Sequence, residues 1–123
     1  MVCDNILVLD ANVDYKELIN KTCKNVRIWS AEEKGDKVVV YFNSSNVPMR
    51  DKLNMQYDFT WSYYFEEGSF LCVGYFVIRA GEIQKTVSWN NANIGKLTDD
   101  DSAYAKKFLR NVYPQKAKEI FVG

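Results

Sequence analysis

Histidine is absent from all 123 residues. That removes the commonest general base near neutral pH, the Ser-His and Cys-His nucleophile pairs and most catalytic zinc sites, so an enzyme is not the expectation. Cysteine is scarce, at three residues (Cys3, Cys23 and Cys72) with no C-x-x-C spacing. Neither a disulfide framework nor a zinc cluster is expected, and a reducing, cytoplasmic setting is the simpler reading. Net charge is lacking as well, because sixteen Lys and Arg cancel sixteen Asp and Glu. This argues against a nucleic-acid polymer as the main partner, since counterion release needs a concentrated positive surface. Near the start the only apolar run, Ile6 to Leu9, is bracketed by Asp4 and Asp10, too short and too acidic for a signal peptide or a membrane span. No repeat or low-complexity tract divides the chain, and its length suits one domain over residues 1–123.

Aromatic residues, in contrast, are plentiful: eight Tyr, seven Phe and three Trp. The chain is organised around Met55 to Ile78. In its first half the odd positions Met55, Tyr57, Phe59, Trp61, Tyr63 and Phe65 are apolar and the even ones mostly polar, a period of two that only an extended strand turns into two faces. After the acidic turn Glu66-Glu67-Gly68-Ser69, the stretch Phe70 to Ile78 is apolar at both parities, which predicts a strand covered on both faces. Together they read as the central hairpin of an antiparallel sheet.

The rest of the chain supplies the other elements. Ile6 to Leu9 reads as a short strand or apolar lead-in, with Asp10-Ala-Asn12 able to cap a helix over Val13 to Lys24, whose Tyr15, Leu18, Ile19 and Cys23 form one stripe. A hairpin follows, Asn25 to Glu33 returning as Lys37 to Asn43 across Lys34-Gly35-Asp36. Ser44 to Lys52 is a connecting loop. Glu82 to Asn90 is an edge strand with Ile83, Val87 and Trp89 on one face and Gln84, Thr86 and Ser88 on the wet one. Thr98 with Asp101 resembles a capping box, so a helix starts near Asp99, carries Tyr104, Ala105, Phe108, Leu109 and Val112 inward, and ends or kinks at Pro114. The expected fold class is therefore α+β: an antiparallel sheet of about five to six strands with an N-terminal and a C-terminal helix. Two helices of that length do not cover both faces of such a sheet, so a homo-oligomer is expected, with the sheet or the C-terminal segment in the contact.

For function, Trp89 beside Asn90, Asn91 and Asn93 offers an aromatic platform and amides, and the helix that follows carries Lys106, Lys107 and Arg110. A ring to stack on, edges to read and cations for phosphate are what a small nucleotide-like anion needs, with no cofactor implied. The carboxylates Glu66 and Glu67, or Asp99, Asp100 and Asp101, suit a turn and a helix N-terminus better than a metal site. Cys72, between Leu71 and Val73, reads as an inert buried thiol.

With a histidine-free domain, an aromatic sheet, an Asn-rich loop and an arginine-bearing C-terminal helix, the chain resembles in general architecture the small phage proteins that sequester cyclic ADP-ribose-type signals of the Thoeris defence system. The likeness rests on the region from Trp89 to Arg110 and not on a motif. It implies an oligomeric sponge that binds a nucleotide signal without cleaving it, in the host cytoplasm, with pockets near subunit contacts and with Asn93 and Arg110 as the first positions to test. The alternative expectations are a protein-binding inhibitor or adaptor acting through an aromatic surface, and a small enzyme using acidic residues.

Overall fold

A computed structural model describes residues 2–90 and 99–120, the side chains at 99, 102, 112, 116, 119 and 120 excepted. The runs rich in β-branched and aromatic residues all become strands: β1 (Cys3–Asp10), β2 (Arg27–Lys34), β3 (Lys37–Ser44), β4 (Phe59–Glu67), β5 (Phe70–Arg79) and β6 (Glu82–Asn90). They form one antiparallel sheet in the order β2-β3-β1-β4-β5-β6. The α+β expectation holds, with six strands.

Strand β1 is longer than its apolar run and lies inside the sheet, Leu7 facing Val40 of β3 on one side and Trp61 of β4 on the other. Its polar residue Asn5, 1 % exposed, hides the strand from a hydropathy reading. The amide is satisfied within the core: Asn5 Nδ2 donates to the Cys3 carbonyl and to Ser44 Oγ, both at 3.1 Å, and Asn5 Oδ1 accepts the Trp61 indole N–H at 2.9 Å. Strand β4, by contrast, begins only at Phe59 and not at Met55, because Asn54 Oδ1 accepts the Gln56 amide at 2.9 Å and bends the chain before it.

Helix α1 (Tyr15–Thr22) is capped by Asp14, whose carboxylate accepts the Glu17 amide at 3.3 Å, so the cap falls two residues later than Asn12. The C-terminal region holds two helices where one was expected: α2 (Asp99–Val112) and α3 (Pro114–Ile120). Pro114 starts α3 because a first helical position needs no N–H.

The helices divide between the two faces. On the first, α1 and the segment carrying Leu53 close over Leu7, Leu9, Val38, Val40, Phe42, Phe59, Trp61 and Ile78. On the second, Ala105, Phe108, Leu109 and Ala117 pack on Tyr64, Leu71, Val73, Tyr75 and Trp89. Strand β5 is thus buried on both faces, as its uninterrupted apolar run requires. Ser62 and Tyr64, at the even and mostly polar positions of that stretch, are buried because the second face of β4 is covered too.

Two irregularities reset side-chain faces at the sheet edges. In β2 the register slips between Ile28 and Ser30, leaving Trp29 as the extra residue, so Ile28 and Ala31 share the first face and the simple alternation fails. In β6 a second slip opposite Val77/Ile78 separates Ile83, which pairs with Ile78, from Val87 and Trp89 on the other face. Among the described residues no helix is long and apolar enough to cross a membrane.

Candidate functional site

Six strands at roughly 4.8 Å spacing make a face nearly 30 Å wide, which a helix about 10 Å across cannot cover. Helix α2 packs over β4, β5 and β6, with Tyr113 reaching Asp4 of β1, and among the described residues no helix covers the rest of the second face of β1, β3 and β2. Its seat is unusually polar. Tyr75 Oη donates to Asp101 Oδ1 at 2.9 Å, and Lys85 Nζ reaches the same oxygen at 2.9 Å. The Tyr104 hydroxyl meets Ser62 Oγ, and the Tyr113 hydroxyl donates to Asp4. Tilted ring pairs join the layers, Tyr75 against Tyr104 at 4.1 Å and Tyr64 against Tyr113 at 4.8 Å between centroids. Burial holds the phenols of Tyr75 and Tyr104 above their ordinary pKa, so both stay protonated and can donate.

Beside α2 runs a groove of about 340 Å³. Its floor is Ile6 and Val8 of β1, Val39 and Tyr41 of β3, and Thr60 and Ser62 of β4. Its wall is Tyr104, Lys107, Phe108 and Asn111, which recur at helical spacings of three and four along one side of α2. The floor is apolar and aromatic with three hydroxyls, those of Tyr41, Thr60 and Ser62, while the wall contributes one exposed ammonium and one exposed amide. Beyond Tyr41, at the β2 edge, Trp29 is 54 % exposed.

Of the residues singled out in the sequence, the described ones lie in different places. Trp89 is 1 % exposed, with its ring 5.8 Å from Tyr75 in the core under α2, so it presents no face to a ligand and is not a stacking platform. Its indole Nε1 meets no hydrogen-bond partner among the described residues. Asn90 ends β6 opposite Cys72, half-buried. Asn91 and Asn93 lie outside the described residues. Lys107 lines the groove; Lys106 and Arg110, one turn apart, belong to another side of α2. Sequence reasoning missed the floor of the groove. The signal for it is Val38 to Phe42, apolar at both parities like β5 but with a helix on only one of its faces.

The remaining chemistry of the described residues is structural. Cys3, Cys23 and Cys72 are buried free thiols, and burial pushes Cys3 up to about 12 and Cys23 to about 11 and raises Cys72, so none is a thiolate near neutral pH. Asp101 is engaged with Tyr75 and Lys85, and Glu66 accepts the Tyr64 hydroxyl at 2.8 Å. Among the described residues no group of three or more Cys, Asp or Glu is placed to hold a metal ion.

Fold and groove together define an α+β domain with a half-open sheet face. Compared with known proteins, the chain matches no family model, no curated protein and no solved structure.

Proposed function

We propose that this protein is a non-enzymatic binding protein that captures a small, flat, anionic ligand of nucleotide type in the groove beside α2. The observation that carries the reading is the groove itself, an apolar and aromatic floor with one ammonium, Lys107, and one amide, Asn111, on a single wall. Such a site holds a ring by contact area and orients it through a few polar groups. Its volume falls near the lower end of the roughly 300–1,000 Å³ usual for ligand sites, enough for one ring-bearing unit rather than a polymer. No histidine, exposed thiol or converging carboxylate pair lies along it, so retention of an intact ligand is the activity the groove supports. For a phage-encoded protein, capture of a cyclic ADP-ribose-type or cyclic-nucleotide signal would blunt a host defence by sequestration.

Mass spectrometry of small molecules released by heating the protein, after purification from cells that make nucleotide signals, tests the proposal. An intact nucleotide retained by the wild type and lost from Lys107→Glu, with Arg110→Glu still loaded, is the expected result. Hydrolysed nucleotide in solution would point to an enzyme instead. A protein that is empty of nucleotide and carries a host polypeptide would favour the adaptor reading, for which the exposed Trp29 speaks.

A further inference from the structure

The geometry points to a second aromatic subsite beside the groove, centred on Trp29, which makes the ligand a two-ring molecule of dinucleotide type with an anionic linker. This rests on the ligand reading above and extends it. A groove of about 340 Å³ takes a single ring system, yet the apolar surface does not stop at its edge. Trp29 is 54 % exposed but not loose.

Three features fix its indole before any ligand arrives. The bulge in β2 makes Trp29 the extra residue opposite Tyr41. The indole N–H donates to Asn43 Oδ1 at 3.2 Å. The ring leans on Tyr41, with centroids 5.0 Å apart and planes 41° apart. One side of the indole is therefore taken by Tyr41, and the solvent side is a pre-oriented surface on which a second ring stacks without further ordering cost. Tyr41 also lines the groove, so the two subsites adjoin through a shared ring.

Charge agrees with a linker crossing there. Arg27, exposed, stands opposite Asn43 on the same face of the sheet, and Lys107 faces the floor from α2. Glu32, opposite the floor residue Val39, is the acidic neighbour on this face and disfavours an anion over that part of the floor. Lys107 on the groove side and Arg27 beside the indole's anchor Asn43 thus give each ring subsite one cation for a phosphodiester or pyrophosphate linker.

Calorimetric titration of the wild-type chain with adenylyl-adenosine and with AMP tests the inference, using Trp29→Ala and Trp29→Phe for comparison. The dinucleotide should bind roughly tenfold more tightly than AMP, the equivalent of about 1.4 kcal/mol for one base–aromatic stack. Trp29→Ala should bring that ratio to near one, and Trp29→Phe should restore most of it. Equal affinities in the wild type, or a ratio that survives Trp29→Ala, would overturn the second subsite while leaving the groove reading standing. Binding of neither nucleotide would overturn both.

Discussion

Gly74 offers a sharp test of how the first face is packed. It lies mid-strand in β5 directly opposite Tyr63 of β4, and the tyrosine ring lies across it. A Cβ at position 74 would sit 2.2 Å from Tyr63 Cζ and Oη and 2.6 Å from Cε1. Ordinary carbon contacts are about 3.5–4.0 Å, so Gly74→Ala must push the ring aside by more than ~1 Å. The ring has nowhere cheap to go, being 8 % exposed and stacked on Phe76 with centroids 5.6 Å apart. Overpacking of this kind costs about 1–3 kcal/mol, and partial exposure of a large side chain adds a share of its ~1.5–3 kcal/mol burial term. Replacing a strand glycine returns only ~0.5–1 kcal/mol of backbone entropy. The net loss should be about 2–4 kcal/mol, read as a lowered urea midpoint by circular dichroism at unchanged slope. In a Tyr63→Ala background the same change should be close to neutral, giving a coupling energy of about 2–4 kcal/mol. A loss below ~0.5 kcal/mol for Gly74→Ala, or an undiminished loss without the Tyr63 ring, would refute the reasoning.

Other outcomes follow from the same contacts. Trp61→Phe should destabilise by about 1–2 kcal/mol more than Trp89→Phe in urea unfolding, because it strips the buried Asn5 carbonyl of its indole donor, whereas Trp89 Nε1 has no partner to lose among the described residues. Burial holds the Asp4 carboxyl above its ordinary 3.8, with the Tyr113 hydroxyl pulling it partly back. A raised folded value means this group's stabilisation is full below 3.8 and is lost as pH rises through the folded pKa. Asp4→Asn should therefore raise stability at neutral pH, and the gain should vanish in urea titrations near pH 3. The three buried thiols should resist Ellman's reagent in the native protein and all react in denaturant; prompt reaction of any one would place it at the surface.

What could be read from the chain in advance was decided by local pattern. Period-two alternation and apolar runs located the bounds of β3, β5 and β6 closely, since each is a β-branched or aromatic run ended by a turn. The errors cluster where a tertiary contact overrides that rule. Asn5 looks like a strand terminator until Trp61, fifty-six residues away, supplies its hydrogen bond. Ser62 looks solvated until Tyr104 covers it. Trp89 followed by an Asn-rich run looks like a recognition loop, but burial under α2 depends on the helix crossing angle, which no local pattern encodes. The groove is invisible for a different reason: it is made by the half of a face that a helix fails to cover. Among the described residues of the expected ligand set, Lys107 alone lies along it.

The position of β1 also governs how the molecule is assembled in time. Strand β1 is an inner strand synthesised ahead of both its partners, since β3 follows only from residue 37 and β4 only from residue 59. Until then the earlier half presents an open hydrogen-bonding edge from Cys3 to Leu9, the kind of edge that invites pairing with a foreign chain. Here β1 and β4 form a seam between an N-terminal unit, β1 to β3 with α1, and a C-terminal meander, β4 to β6 with its helices. A break in the connection between Ser44 and Phe59 would leave two fragments, each keeping its own hairpin, whose reunion across that seam is fragment complementation in kind. The same junction that must wait longest during synthesis is the natural place to split the protein into a two-part reporter.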